Sequence, residues 1–207
     1  MTINYPNGMK NKRPSNPKSS KPKTFSNRGM NFESYINQSN DYYLEKGIAV
    51  IHKKPTPVQI VQVNYPKRSA AVITEAYFKE ASTTDYNGIY KGYYLDFEAK
   101  ETKNKTSFPI NNMHDHQIKH MKQCLRQGGI VFILIWFSTL KRCFYLPSDV
   151  MIDFVENTHI HGKKSMPLDM IESTGYEISI SAYPVIAYLS IIDQYILKGD
   201  SHDETRA

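Results

Sequence analysis

The sequence predicts an α/β domain in which a central mixed β-sheet is flanked by helices. Its apolar patterns follow the order helix, several strands, helix, two strands and two helices, which is typical of this class. Hydrophobic residues make up 40% of the chain and aromatic residues 12%, enough for a substantial core. The longest apolar run, residues 130–137, has the length of a strand rather than of a membrane span. A chain of 207 residues fits one such domain with an arm or a tail.

The first half of the chain contains a helix, a strand and an extended projection. A loose helical spacing across residues 28–47 ends at Gly47 and predicts the first helix. The segment IAVIHKK, residues 48–54, has the composition of a strand. Short apolar runs broken by prolines follow, and they predict a two-stranded β-stalk over about residues 55–82.

The second half alternates helices with strands. Gly128-Gly129 is a stop signal for the helix that precedes it. Residues 158–182 show no sustained period and are predicted to be irregular. The predicted elements of this half are a helix over 112–127, strands over 130–137 and 142–147, a helix from Ser148, and a closing helix over 183–198.

The net charge of +6 is confined to the N-terminal segment. Residues 1–27 contain six basic side chains and no acid, whereas the remaining residues contain 20 basic and 20 acidic ones. The segment is rich in Pro, Ser and Asn and has few large aliphatics, so it predicts a disordered basic arm. Such an arm favours attachment to nucleic acid, with a merely solubilising tail as the alternative. A single domain is then expected over 28–200, with a flexible C-terminus at 201–207.

Acids and a lysine alternate along the second strand of the hairpin TTDYNGIYKGYYLDFEAKET, residues 83–102. Period-2 alternation places Asp96, Glu98 and Lys100 on one face. A turn at Lys91-Gly92 brings Asp85 directly opposite Glu98, with Cβ atoms roughly 5 Å apart. Two carboxylates this close favour a divalent cation between them, and oxygen ligands favour Mg²⁺.

A second turn position competes with the first. Asn87-Gly88 is the stronger hairpin dipeptide in isolation, and a turn there would place Asp85 away from Glu98. That register leaves only a few paired residues before Gly92. The Lys91-Gly92 register is therefore favoured.

Asp85 is followed by twelve residues and then by Glu98-Ala99-Lys100. This pattern resembles the signature of the PD-(D/E)xK nuclease superfamily, with Thr84 where a proline often stands. Longer segments resemble the RecU family of bacterial Holliday junction resolvases, from Arg28 to near the C-terminus. The resemblance implies a restriction-endonuclease-like core with a protruding stalk. The segments that carry it are RGMNFE at 28–33, HKKPTPVQIV at 52–61, TTDYNGIYKGYYLDFEAKETKNKTSFP at 83–109 and HDHQIKHM at 114–121.

The resemblance also implies roles for individual residues. Asp85 and Glu98 match the metal-binding acids. Lys100 matches the motif lysine, whose ammonium group would stabilise the charge that develops in the transition state or orient the attacking water. Thr83 and Gln117 match further metal-site positions, and Glu33 lies where related nucleases often have a helix carboxylate. Asp96 is left undecided between the site and a structural role.

Residues 52–68 contain basic side chains and no acid, and the projection also has aromatic side chains, so DNA binding is predicted there, with an ordinary basic hairpin as the alternative. The predicted DNA-binding residues are Lys53, Lys54, Lys67, Arg68 and Phe78.

The family further implies a Mg²⁺-dependent endonuclease, with Mn²⁺ able to substitute, that nicks four-way junction DNA symmetrically to leave a 5′-phosphate in recombination and repair. It implies a homodimer, and it also suggests that the protein interacts with the strand-exchange recombinase. An N-terminus without an apolar signal region and two unpaired cysteines, Cys124 and Cys143, are typical of a cytoplasmic protein with no membrane partner.

Two other functions and one other metal are weighed against this interpretation. A related nuclease could act on linear duplex, and a non-catalytic DNA-binding module could carry the acids as surface residues. The histidines at 114, 116 and 120 suggest a zinc site as an alternative. However, only His116 and His120 share a helical face, and no cysteine or third ligand is evident at a suitable spacing. Histidines that face solvent or DNA are therefore expected.

Overall fold

The structure is a computed structural model that describes residues 31–67, 71–79 and 83–197. The arm at 1–27, Arg68 and the C-terminus at 201–207 lie outside these residues, so the predictions made for them remain predictions. The helices are α1 Phe32–Glu45, α2 Asp115–Arg126, α3 Ser148–Glu156, α4 Thr158–His161, α5 Leu168–Thr174 and α6 Tyr188–Ile191, the last continued by a π-helical turn, Ile192–Leu197. The strands are β1 Val50–Lys53, β2 Val58–Asn64, β3 Val72–Phe78, β4 Tyr86–Tyr90, β5 Tyr93–Thr102, β6 Ser107–Pro109, β7 Ile130–Phe137, β8 Arg142–Pro147, β9 Ser165–Pro167 and β10 Tyr176–Ile178.

Six strands form the central sheet in the order β1-β4-β5-β7-β8-β10. Strands β5 and β7 run parallel, whereas the other neighbouring pairs of this sheet are antiparallel. Parallel neighbours need a crossover, and α2 supplies it between β5 and β7. The prediction of a mixed sheet flanked by helices is thus confirmed.

Each face of the sheet carries its own hydrophobic core. Alternate residues of β7 divide between the two, because Phe132 and Leu134 pack with α1 and α6 while Ile133 and Ile135 pack with α2, α3 and α5. Strand β5 has only one apolar face, since Leu95 and Phe97 belong to the first core. Its other face lies on the α2 side of the sheet, where the acids are found.

The turn at Lys91-Gly92 is confirmed by the register of the hairpin. Tyr90 pairs with Tyr93, and Tyr86 pairs with Phe97. Both turn residues have positive φ, +50° at Lys91 and +85° at Gly92, as a two-residue type I′ turn requires. Gly88 serves another purpose, because a Cβ built there would lie 2.2 Å from the Val50 carbonyl oxygen of β1.

Replacing Gly88 with alanine is expected to destabilise the protein. The new methyl group would also come within 2.6 Å of the Ile51 Cα, and backbone atoms cannot yield as a flexible side chain can. Overpacking of this kind costs about 1–3 kcal/mol in the free energy of unfolding, which urea denaturation would measure. Thr56→Ala, an exposed substitution outside the strands, is the control and should change stability by less than about 0.5 kcal/mol. Equal stability of the two variants would contradict the close approach of β1.

Strands β2 and β3 form a separate two-stranded sheet, the predicted β-stalk. Their register shifts between Ile60 and Val63, so the pairing of the two strands is irregular there. Every residue of both strands is exposed, including Phe78, whose exposed fraction is 84%. The stalk therefore presents apolar and aromatic side chains to its surroundings.

The prediction that residues 158–182 are irregular is wrong. They contain α4, α5, β9 and β10, and β10 completes the central sheet by pairing with β8. Elements of three to seven residues are too short to show a period, so their partners in the fold decide their conformation. None of the described helices combines the length and the apolar character needed to cross a membrane.

Candidate metal and catalytic centre

The hairpin brings Asp85 and Glu98 together. The Asp85 backbone N–H donates to Glu98 Oε2 at 3.1 Å, and the Ala99 backbone N–H donates to Asp85 Oδ2 at 3.3 Å. These contacts follow directly from the Lys91-Gly92 register, which sets the two residues opposite one another. The favoured register thus produces the carboxylate pair that the sequence predicted.

Glu98 is buried beside a second acid and a lysine. Burial raises its pKa to about 8, and the charge of Asp85 raises it as well, whereas Lys100 acts in the opposite direction. Lys100 Nζ lies 3.0 Å from Glu98 Oε1, and their side chains are 16% and 2% exposed. One cation therefore already faces this carboxylate, and more positive charge would stabilise its ionised form.

The donor atoms at this centre fit a hard divalent cation. The neighbouring residues Asp85 and Glu98 each offer carboxylate oxygens, which are the ligands that Mg²⁺ and Mn²⁺ prefer. Burial is the main cause of the raised pKa of Glu98, and the neighbouring charge of Asp85 adds to it, so a bound cation would favour the ionised pair. The residues present therefore fit the implied metal.

Thr83 and Gln117, the other predicted metal-site positions, make local contacts. Thr83 Oγ1 donates to the Thr84 carbonyl at 3.3 Å. Gln117 is buried in the first turn of α2, and its Oε1 accepts from the His114 backbone N–H at 3.1 Å. That contact caps the helix, so the roles of Thr83 and Gln117 at a metal remain predictions.

Glu33 shares a cleft with Asp85. The cleft has a volume of about 180 Å³ and is lined by the N-terminus of α1, by Asp85 and Tyr86, and by Ala99 and Glu101. Glu33 Oε1 is 2.6 Å from Lys53 Nζ, an exposed pair that can open at little cost. Glu33 thus lines the same cleft as Asp85, and its role at a metal remains a prediction.

Asp96, which the sequence left undecided, is a buried charge with several donors. Its Oδ2 lies 2.7 Å from Lys54 Nζ, 2.9 Å from the Tyr94 hydroxyl and 3.2 Å from His120 Nε2, while its Oδ1 accepts from Thr84 Oγ1. Burial opposes ionisation, but hydrogen bonds from Lys54 and Thr84 and the Lys54 charge hold the pKa of Asp96 below its usual value. The network therefore keeps a carboxylate ionised away from solvent.

The sequence signal for this network was incomplete. Thr84, Tyr94 and His120 were not predicted to contact Asp96, although Thr84 stands where the superfamily often has proline. The alternation of β5 placed Asp96 on the correct face. Only the fold brings Lys54, which follows the end of β1, to the same point.

The sequence argument that no further ligand lies near the histidines is wrong for His120. Cys124 Sγ is 3.5 Å from His120 Nε2, one helical turn away, and Asp96 approaches from β5. The four-residue interval between His120 and Cys124 is a signal that the sequence argument overlooked, whereas Asp96 could not be found from spacing along the chain. Burial and the Asp96 charge raise the pKa of the Cys124 thiol.

The predicted DNA-binding residues occupy different environments. Phe78 and Lys67 are exposed on the stalk. Lys53 pairs with Glu33, and Lys54 is 17% exposed and pairs with Asp96. Lys54 therefore has a structural partner in this conformation, and its contact with DNA remains a prediction.

The family model for Recombination protein U, RecU, matches residues 27–194. The chain is 57% identical over 202 residues to the Holliday junction resolvase RecU of Streptococcus uberis, covering 96% of this chain and 98% of that protein. It is 56% identical over 198 residues to the protein of the same name from Streptococcus mutans, covering 96% of this chain and 100% of that protein. A solved structure of Archaeoglobus fulgidus Hjc, a Holliday junction resolvase, covers 69% of this chain and 94% of its own at 12% identity, but its TM-score of 0.38 is too low to support an argument.

Proposed function

This chain belongs to the RecU family, and on that premise we propose that it is a divalent-metal-dependent endonuclease that resolves Holliday junctions in recombination and repair. The relatives that carry the resolvase name match nearly the whole chain, so the proposal concerns the entire domain and not an isolated motif. The observation that carries the chemistry is the contact of Asp85, Glu98 and Lys100 on the hairpin.

Asp85 and Glu98 would hold the cation, with Thr83 and Gln117 as further metal-site positions and Mg²⁺ as the favoured ion. When bound, such an ion would polarise a phosphoryl oxygen and make a water molecule more acidic. The centre would hydrolyse the phosphodiester, with the 5′-phosphate product that the family resemblance implies. The carboxylate pair supports it, because Asp85 lines a cleft that opens to the protein surface and Glu98 contacts Asp85 directly.

Lys100 would act on the phosphate rather than on the cation. Its ammonium group is held 3.0 Å from Glu98 and is largely shielded from solvent, so its position is defined before the substrate arrives. A fixed positive charge stabilises the negative charge that develops on the phosphate in the transition state. Glu98 thus has a second task, which is to orient Lys100.

A homodimer would match the symmetry of the substrate. A four-way junction has two-fold symmetry, and a two-fold dimer presents two identical centres to opposed strands. Paired nicks would follow from that arrangement, and the stalk would contribute basic and aromatic side chains near the crossing point.

Purified protein should nick labelled four-way junctions at symmetric positions with Mg²⁺ and not with EDTA. Matched linear duplex of the same sequence is the control substrate, and it should remain uncut. Equal cutting of the duplex would favour a related nuclease with another substrate. Binding without cleavage in either Mg²⁺ or Mn²⁺ would favour a non-catalytic DNA-binding module.

Replacing Phe78 with alanine is expected to weaken junction binding without destabilising the fold. The ring is 84% exposed and buries little area, so its loss should change the free energy of unfolding by less than about 0.5 kcal/mol. Stacking on an exposed base contributes about 1–3 kcal/mol, so affinity should fall roughly 5- to 150-fold in a gel-shift titration. Leu44→Ala, at an exposed position on α1, is the matched control. Unchanged junction affinity of the Phe78 variant would rule out stacking by this residue.

A further inference from the structure

We propose that Asp96, His120 and Cys124 form a binding site for a soft divalent transition metal such as Zn²⁺, separate from the hard-cation centre. Their ligand atoms all lie within 4.8 Å of one another. His120 and Cys124 are four residues apart on α2 and therefore share a helical face, and Asp96 lies beneath them on β5. A carboxylate, an imidazole and a thiol form a donor set that suits zinc and is foreign to Mg²⁺.

The distances between these ligands are close to those around tetrahedral zinc. Bonds of about 2.0–2.1 Å to nitrogen and oxygen and about 2.3 Å to sulfur separate N from O by about 3.3 Å and N from S by about 3.6 Å at tetrahedral angles. In the structure His120 Nε2 is 3.2 Å from Asp96 Oδ2 and 3.5 Å from Cys124 Sγ. Little rearrangement of these two pairs is needed to surround an ion.

An ion could reach this cluster from solvent. His120 and Cys124 line a cavity of about 550 Å³ between the hairpin and the C-terminal end of α2. Tyr93 and Tyr94 also line this cavity, together with the glycine pair that follows α2. A water molecule in it could complete four-coordination, which three protein ligands leave open.

Zinc would change the charges and partners of the cluster. The Cys124 thiol would release its proton to solvent on binding, because the thiolate is the ligand form. Zinc would displace the Lys54 ammonium group from Asp96, because this group lies 2.7 Å from the same Asp96 oxygen that would face the ion. Zinc and Lys54 are therefore expected to compete for Asp96.

The two metal sites share strand β5 but not their ligands. Asp96 and Glu98 are two residues apart on one face, roughly 7 Å along the strand. The segment that carries Lys54 is also tied to the catalytic hairpin, since its backbone N–H donates to the Asp85 carbonyl at 2.7 Å. Zinc at the Asp96 cluster can thus perturb the hard-cation centre without occupying it.

Cobalt is the probe for this site. Chelator-treated and dialysed full-length protein is titrated with Co²⁺ in saturating Mg²⁺, and bound cobalt is measured by equilibrium dialysis and by the thiolate-to-cobalt charge-transfer absorption. One cobalt ion per chain with this absorption, displaced by Zn²⁺, is expected. Absence of bound cobalt under these conditions would overturn the proposal.

Four variants locate the ion. Cys124→Ser and His120→Gln should each weaken cobalt binding by at least about tenfold, and Cys124→Ser should abolish the charge-transfer absorption. Cys143→Ser, at the buried cysteine of β8, and Glu98→Gln, at the hard-cation centre, should both retain it. Persistence of the absorption in Cys124→Ser, or its loss in Cys143→Ser, would place the ion elsewhere.

A gain of affinity provides a test that does not depend on the loss of a ligand. Lys54→Met removes the competing ammonium group while preserving much of the side-chain volume. Zinc and cobalt should then bind about tenfold more tightly, and zinc should raise the melting temperature of this variant more than that of the unmodified protein. Equal or weaker zinc affinity in Lys54→Met would contradict competition at Asp96.

Discussion

Replacement of Lys100 by alanine should reduce single-turnover cleavage of a four-way junction by about 10²–10³-fold, with little change in junction affinity. The Lys100 ammonium group lies 3.0 Å from Glu98 and is largely shielded from solvent, so its charge acts where the dielectric constant is low. The substitution should change the cleavage rate rather than the affinity, because the phosphate carries more negative charge in the transition state than in the bound substrate.

Lys163→Ala is the matched control, because it removes the same charge from an exposed loop residue. Cleavage by that variant should remain close to that of the unmodified protein. A Mg²⁺ titration of Lys100→Ala distinguishes two explanations, since Lys100 also favours ionisation of Glu98. Full recovery at high Mg²⁺ would mean that Lys100 acts only through metal binding, and this outcome would contradict its role at the phosphate.

Replacement of Asp96 by asparagine should lower the free energy of unfolding by about 3–5 kcal/mol. The Asp96 side chain is 0% exposed, and it faces Lys54, which is itself only 17% exposed. The substitution keeps the shape of the side chain but leaves a shielded ammonium group without a counter-charge. Urea denaturation measures the loss directly.

Asp153→Asn makes the same chemical change on the exposed face of α3 and should alter stability by less than about 0.5 kcal/mol. The double variant Lys54→Met, Asp96→Leu should recover much of the loss, because it removes both charges rather than one. An Asp96→Asn variant as stable as Asp153→Asn would show that the network does not depend on this charge.

The structure confirms the hairpin register that the sequence favoured. Lys91-Gly92 accommodates positive φ at both turn positions, and the resulting pairing places Asp85 opposite Glu98. The competing dipeptide Asn87-Gly88 lies within a strand, where the backbone of β1 leaves no room for a Cβ at Gly88. The identity of β1 as the neighbour of β4 is not encoded near Gly88, so local rules alone left this second turn open.

The sequence predicted short elements and contacts between distant residues least well. Strand β10 has three residues and gains its conformation by pairing with β8. Three helices separate these two strands along the sequence. The Asp96 network combines Lys54, just after β1, with His120 from α2. The zinc argument from spacing failed in part for the same reason, since it compared positions along one helix and could not include a carboxylate on a strand.

By itself the sequence determined the mixed α/β class, the carboxylate pair with its lysine, and the family resemblance. Period-2 alternation and turn chemistry are local, so they decide which side chains of a hairpin share a face. Tertiary structure alone decided the role of Asp96 and its approach to His120 and Cys124. In the crossover from β5 to β7, α2 packs over the polar face of β5. A charge buried there is costly unless it is paired, so Asp96 has partners from distant parts of the chain.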